Sequence, residues 1–330
     1  MSDPIYIKSD PLYDSNKYMG YFIIGLRGSG KSALVEKYAE KFYCDGRIVV
    51  DLWGASGREN LFWGVKGKTQ YPCLIVHSPF VDVEIPKGQG KWYAAVSGDE
   101  SVESIIKRAV LEKRVVCFDQ NSYQGFEEEC YKKVAEFLSE LPRVNMDVVD
   151  GRMVVLVREA SNLLFAHLKV NDYCKFTRAP FLSLIRESRH NRISFIIDSQ
   201  RYKDVYSGVR ENTDVLLIKR TPVTTLPDDM SWLPKKIKYL RRKAPFRFRY
   251  SLFPKLGELK PEEYYAVFPS TNIVKLNFDL PGFYHKREED NFSRKTGILF
   301  KSNGRKPVNN VCRREDGVIL FWFQLTQLRE

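Results

Sequence analysis

The residues best equipped for chemistry are Gly25, Gly28, Gly30, Lys31 and Ser32, in the string GLRGSGKS at 25–32. Gly, four residues, Gly, Lys and Ser is the spacing of a phosphate-binding loop. The glycines permit turns that side chains would block, so successive backbone N–H groups point at an anion, and the following helix adds its positive N-terminal end. Lys31 would reach the β- and γ-phosphates and the Ser32 hydroxyl would ligate Mg²⁺, with Arg27, Ser29 and Ala33 completing the loop. Chance would give this pattern in roughly one chain of this length in a hundred. The apolar run YMGYFII precedes the loop and ALVEKYAEKFY follows it at helical spacing, so a strand and a helix are expected to flank it. The alternative is an ordinary Gly-Ser turn between the two. The expected ligand is ATP with Mg²⁺.

Binding phosphate is not hydrolysis, which needs a carboxylate to orient water at the γ-phosphate from a neighbouring strand end. Glu159 is the candidate, directly after the apolar run in VVLVREAS. Arg158 stands where an acidic residue would ordinarily hold the Mg²⁺ hydration shell. Ser32, phosphates and water then hold the cation alone, or Asp51, Asp119 or Asp198 supplies the charge, or turnover is slow. On this reading Arg158→Asp leaves hydrolysis unchanged or raises it. Without a catalytic role, Glu159 would be a carboxylate at a helix N-terminus. Gln200 follows another apolar run, in ISFIIDSQR, and could sense the γ-phosphate or the attacking water. Arg186, Arg189 and Arg192 cluster before that run. Arg189 is the candidate to reach a neighbouring subunit's γ-phosphate as an arginine finger, and the alternative is a solvated basic helix end.

These groups need a scaffold. Apolar runs at 18–24, 47–52, 72–76, 114–118, 152–157, 192–197 and 214–218 predict strands buried on both faces. Helical patterns fall at about 31–43, 101–112, 123–141, 159–169, 179–189 and 203–210. The alternation predicts an α/β fold with a mostly parallel, doubly wound sheet. Residues 84–100 read as a long surface loop. After about 221 the pattern changes to a turn-rich stretch, a basic helix and a hairpin at 264–269 and 272–278, so the chain divides into a core at 1–220 and a small α+β extension at 221–330. The apolar cluster at 318–323 reads as a terminal strand or a partner contact.

Composition narrows the partners. In 330 residues the formal net charge is +12, which favours an anionic partner. Residues 235–250, KKIKYLRRKAPFRFRY, contain no acid. Lys235, Lys236, Lys238, Arg241, Arg242 and Lys243 are the candidate DNA contacts, with Tyr239, Phe246, Phe248 and Tyr250 able to stack on bases or pack on the core. A solvated basic face is the alternative. The six cysteines lack CxxC spacing, which suits thiols in a reducing compartment and disfavours zinc. No apolar run approaches the ~18 residues that cross a bilayer, and the N-terminus lacks the pattern of a signal peptide. A soluble cytoplasmic protein is expected, and not an integral membrane protein.

Taken together, GLRGSGKS, VVLVREA and LIRESRHNRISFIIDSQR resemble the FtsK-HerA superfamily of DNA-pumping ATPases over residues 18–220. The Arg-His segment running into a strand that ends in Ser-Gln-Arg is the most specific part. The resemblance implies a RecA-like P-loop NTPase core acting as a homo-oligomeric ring, usually a hexamer, that hydrolyses ATP to move DNA. Genome packaging and plasmid transfer are the implied tasks, with a capsid or membrane-pore complex as partner. The compact core and the tail FDLPGFYHKREED look most similar to ATPases of archaeal viruses and plasmids. Arg158 departs from the pattern. A nucleotide-binding assembly switch with weak or no hydrolysis is the competing reading. A GTPase lacks its guanine-recognition string, and a small-molecule kinase would leave Gln200 and the basic run without a role.

Overall fold

The computed structural model describes residues 17–54, 57–166, 172–226, 230–268, 272–287 and 289–305, and two short strands, Arg314–Glu315 and Val318–Ile319. Strands β1 (Gly20–Ile24), β2 (Ile48–Trp53), β3 (Cys73–His77), β4 (Val81–Glu84), β5 (Tyr93–Ser97), β6 (Val115–Phe118), β7 (Met153–Val157), β8 (Ile193–Ser199) and β9 (Val215–Ile218) precede β10 (Glu263–Val267), β11 (Ile273–Asn277) and β12 (Leu299–Ser302). The longer helices are α1 (Lys31–Cys44), α2 (Val102–Glu112), α3 (Glu127–Val148), α4 (Cys174–Arg186), α5 (Ser207–Glu211) and α6 (Trp232–Lys243).

Ten strands form one sheet in the order β11-β10-β9-β1-β8-β7-β2-β6-β3-β5. From β9 to β5 every pairing is parallel, and β10 and β11 add an antiparallel hairpin at the β9 edge. This is the α/β, RecA-like P-loop architecture expected from the sequence. The second half of the chain contributes directly to the sheet, because the hairpin pairs with β9 in register. A separate two-stranded sheet joins β12 to β4.

Along β1, side chains alternate between faces, as a pleated strand requires. Phe22 and Ile24 pack with Ile105 of α2, Phe137 of α3, Phe181 of α4 and Leu233 of α6. Tyr21 and Ile23 pack with Leu34 and Tyr38 of α1. One long helix cannot cover that second face, and Phe283, Phe292 and Ile298 from the C-terminal region complete it. The Phe283 ring stacks on Trp63 with centroids 4.3 Å apart. The C-terminal segment therefore belongs to the core of the α1 face.

Five expectations need correction. Residues 84–100 are not a loop, since Tyr93–Ser97 forms an edge strand paired with β3 and Tyr93 is buried. The helices expected at 123–141 and 179–189 are Glu127–Val148 and Cys174–Arg186, with Pro142 and Pro180 inside them. Proline inside a helix costs about 3 kcal/mol. Burial of Phe137, Leu141 and Val144 on the sheet, at about 1.5–3 kcal/mol per large side chain, outweighs that cost in α3. The helix expected at 159–169 is only a 3₁₀ turn at Ala160–Asn162 among the described residues. Its carbonyls find tertiary donors instead, with Tyr131 Oη donating to Asn162 O at 2.6 Å and Thr177 Oγ1 donating to Leu163 O at 2.7 Å. The helix expected at 203–210 divides into a turn at Tyr202–Asp204 and the short α5. The cluster at 318–323 lies, beyond Val318–Ile319, outside the described residues.

A Cβ at Gly20 would overlap the buried ring of Phe195 on the paired strand. Gly20→Ala should therefore lower stability by about 1–3 kcal/mol through overpacking. Urea unfolding checks this, and an unmoved midpoint would mean that the ring gives way freely.

Candidate functional site

The phosphate loop is held in shape by its neighbours as well as its own glycines. Gly28 and Gly30 sit at φ 71° and 85°, in the left-handed region where side chains are strained. A Cβ at Gly30 would lie 2.6 Å from Pro261 O, and one at Gly25 would lie 2.6 Å from Lys219 Cβ. Leu26 N–H donates to Arg220 O at 2.9 Å, so the chain leaving β9 braces the loop from beside it. Lys219 is buried, and its Nζ donates to Pro261 O and, at 2.9 Å, to Glu263 O. Burial pushes its pKa down to about 7 against the pull of Glu262 and Glu263. The hairpin of the second half is thus fastened under the loop. Lys31 is buried at the start of α1 and donates from Nζ to Leu26 O at 3.4 Å.

Around the loop opens a cleft of about 800 Å³. Arg27, Gly28, Gly30, Lys31 and Ser32 line it together with Glu159, Asp198 and Gln200. The strand order explains the convergence: β8 lies between β1 and β7, and parallel strands deliver their C-terminal ends to one edge. Gln200 Nε2 donates to Glu159 Oε1 at 3.4 Å. Glu159 has φ 47° and ψ 54°, a conformation unusual for a non-glycine residue. Its N–H donates to Asp198 Oδ1 at 2.6 Å, which holds the turn. The dipole account of Glu159 fails here, because no α-helix begins at this residue. Gly25 and Ala33 are buried behind the loop, and Ser29 Oγ is buried without a hydrogen-bond partner.

Arg158 does not face the cleft as a free cation. Its Nη1 donates to Glu36 Oε1 at 2.6 Å, and its Nη2 and Nε donate to Asp51 at 2.6 and 3.2 Å. All three side chains are buried. The Glu36 carboxylate also meets His285 Nδ1 at 2.6 Å, and Trp63 Nε1 donates to Asp51 at 2.9 Å. Burial would raise the Glu36 pKa, but Arg158 and His285 together hold it below the usual range. His285 loses by burial and gains more from Glu36, so its pKa is raised. The network ties α1, β2, β7 and the C-terminal segment together behind the phosphates.

That network separates the three alternative strand-end carboxylates. Asp51 is occupied by Arg158 and Trp63, and Asp119 by Arg58 Nε at 3.0 and 3.2 Å. Neither lines the cleft, whereas Asp198 does. Burial pushes Asp198 up to about 6, with Lys31 pulling it down and Glu159 adding to the rise. Among the described residues no cluster of three or more His, Cys, Asp or Glu side chains could hold a metal. The donors present instead, the Ser32 hydroxyl and the Asp198 carboxylate, are the hard oxygens that Mg²⁺ takes alongside phosphates and water.

Arg189 lies elsewhere. It pairs with Asp214, whose carboxylate also accepts from Gly20 N–H at 2.7 Å, at the N-terminal ends of the strands. The length of β8 separates it from Gln200, on the order of 20 Å. The candidate DNA contacts form a second region on α6. Lys235, Lys236, Lys238, Arg242 and Lys243 are exposed, while Leu233 and Ile237 anchor the opposite side. Arg241 turns inward and donates from Nε to Phe253 O at 2.7 Å. Tyr239, Phe246, Phe248 and Tyr250 are all more than half exposed. His285, Lys286 and Arg287 also line the cleft; the sequence marked them only inside the tail FDLPGFYHKREED, with no site role assigned to any of them.

Fold and site together define a P-loop α/β core whose loop, acid and amide share one edge of the sheet. No known protein family and no curated protein matches the sequence. Among solved structures, the genome-packaging NTPase B204 of Sulfolobus turreted icosahedral virus 2, in complex with ATP-gammaS, is similar at 15% identity and TM-score 0.40, over 80% of this chain and 99% of that one. The pCW3 conjugation coupling protein TcpA is similar at 14% identity and TM-score 0.38, over 85% of this chain and 64% of that one. EssC from Geobacillus thermodenitrificans is similar at 11% identity and TM-score 0.35, over 84% and 43%.

The geometry reverses the expectation for Arg158→Asp. Removing the guanidinium leaves Glu36 and Asp51 buried and uncompensated, with a third carboxylate beside them. A loss of about 3–5 kcal/mol follows, large enough to unfold a marginal protein. Thermal unfolding of Arg158→Asp and Arg158→Lys checks it, and a variant as stable as wild type would show that the triad is not the structural centre described.

Proposed function

We propose that this protein is an ATP-driven DNA translocase, with viral genome packaging or plasmid transfer as its task, acting in the cytoplasm as a homo-oligomeric ring. The observation that carries the proposal is the convergence of Glu159 and Gln200 on the cleft that the phosphate loop opens into. Loop amides and Lys31 grip the triphosphate, and Ser32 with Asp198 holds the cation side. Bound Mg²⁺ would neutralise charge on the β- and γ-phosphates. Glu159 accepts a proton from the attacking water, and Gln200 orients that water or reads the γ-phosphate through its amide. The left-handed turn at Glu159, pinned by Asp198, keeps the carboxylate at the cleft instead of along a helix. Arg189, at the far edge, is suited to contacts with another copy and not to its own nucleotide. DNA binds along the exposed cations of α6. No helix of the described residues is long and apolar enough to cross a membrane, so contact with a capsid or membrane pore would be peripheral.

The second reading, a nucleotide-dependent switch with little turnover, is favoured by Arg158. Its guanidinium and the two carboxylates it binds form a closed group, which leaves the Mg²⁺ side of the cleft with a single buried carboxylate, Asp198.

Steady-state ATPase rates across a DNA titration separate the two. A translocase hydrolyses ATP faster with DNA, Lys31→Ala abolishes nucleotide binding, and Glu159→Gln keeps binding while turnover falls by about 10²–10⁴-fold. Undiminished turnover in Glu159→Gln would remove that residue as the base, and a wild type that binds ATP without turning it over would favour the switch. For the DNA surface, replacing Lys235, Lys236, Arg242 and Lys243 by Ala should flatten the slope of log affinity against log salt by about 0.9 for each phosphate that is no longer neutralised. An unchanged slope would discard α6.

A further inference from the structure

The cleft has a wall that comes from outside the phosphate-loop core. Residues 282–287 form a strap, anchored along its length, whose last three residues, His285, Lys286 and Arg287, line the cleft. Gly282 N–H donates to the Glu40 carboxylate at 2.8 and 3.0 Å. Phe283 stacks on Trp63, His285 bonds Glu36, and Lys286 Nζ meets Glu59 at 3.2 Å. At the far end Asp290 accepts from Tyr284 Oη at 2.9 Å and from Arg287 N–H at 2.8 Å. Glu36 and Glu40 both belong to α1, the helix that begins at Lys31. The strap is therefore fixed to the element that sets the position of the phosphates.

Charge in the cleft is mostly accounted for. Arg158 is held by Glu36 and Asp51, Lys286 by Glu59, and Lys31 lies in the field of Asp198. Among the described residues lining the cleft, Arg201 and Arg287 are cations whose side chains have no partner. Arg201 belongs to the strand end that already carries Gln200. Arg287 arrives from the strap, its side chain exposed at the cleft and unpaired while its own N–H is bonded to Asp290.

We propose that Arg287 contacts the γ-phosphate of the nucleotide bound in the same chain, so that the strap adds a second unpartnered guanidinium to the one the core brings at Arg201. This rests on the reading of the cleft as a nucleoside triphosphate site. A guanidinium offers a planar fork of donors that matches a terminal phosphate. The strap brings that fork to the cleft without the help of another subunit. Arg287 thus distinguishes triphosphate from diphosphate.

Binding of ATPγS and of ADP, measured by calorimetry on the full chain, tests the assignment in wild type, Arg287→Ala and Arg287→Lys. Arg287→Ala should weaken ATPγS by roughly 10–100-fold and leave ADP nearly unchanged, with Arg287→Lys between the two. Because Arg287 is exposed, unfolding curves should coincide with wild type. Equal affinities in wild type and Arg287→Ala, or equal losses for both nucleotides, would overturn the contact while leaving the nucleotide site intact. A wild type that binds neither nucleotide would overturn the site and the contact together. Mixing Arg287→Ala with Lys31→Ala decides whether the contact is within one chain: no recovery of hydrolysis is expected, and recovery would show that Arg287 serves a neighbour.

Discussion

Everything at the cleft depends on the parallel pairing of β1, β8 and β7. Ile23 lies beside Asp198 in the β1–β8 ladder, and Leu156 lies beside Ile196 in the β7–β8 ladder. Three strand ends are thereby brought level at one edge. A slip of one residue would turn each strand's side chains to the opposite face, so burial of Phe22 on one side and Ile23 on the other fixes the register. The placement of Lys31, Glu159 and Gln200 is then a consequence of apolar packing. None of the three needs to find the others by polar attraction, and Gln200 and Glu159 meet through a long hydrogen bond only.

Behind that edge the chain accepts a buried charge cluster. Desolvating Arg158, Glu36 and Asp51 costs several kcal/mol per ion, so the triad is poor as a source of stability. What it provides is geometry. Its three members come from α1, β2 and β7, and His285 adds the C-terminal segment. A fully paired charge cluster in a dry site has few alternative arrangements, so α1 and the strap are constrained through the same network. Arg158 is accordingly better understood as the hub of this packing than as a defect in a catalytic motif.

Much of this was legible in the sequence. The seven expected apolar runs all became strands, because a strand buried on both faces must be continuously apolar and few other segments are. The meeting of the glycine-rich loop with Glu159 and Gln200 at one sheet edge was legible because each follows such a run. What failed had a common cause. The expected ranges 123–141 and 179–189 each have an end beside a proline, Pro142 and Pro180, whereas tertiary burial carries both helices past these prolines. Residues 159–169 have helical spacing, but the carbonyls of Asn162 and Leu163 are satisfied by Tyr131 and Thr177 from distant positions. Tyr93–Ser97 is a short strand among Pro and Gly residues, and only its pairing with β3 defines it. The strap was the largest omission. His285 and Glu36 are 249 residues apart, and no periodicity within 282–290 signals a contact with α1.

The strap also explains why the second half of this chain cannot be a detachable appendage. Pro261 O presses against Gly30, the carbonyls of Pro261 and Glu263 hold Lys219, and Phe283 completes the packing of Trp63. Each of these contacts bears on the phosphate loop or on the helix it opens. Loop geometry is therefore coupled to the β10–β11 hairpin on one side and to residues 282–287 on the other. α6 shares the apolar cluster of the opposite face, through Leu233 and Ile237, with Phe22 and Ile24 of β1. A load placed on the cations of α6 would be transmitted through that packed layer to the strand that enters the loop, since close-packed interiors deform little and transmit strain. The basic helix and the strand that enters the loop thus share one close-packed layer, so neither can shift without disturbing the packing of the other.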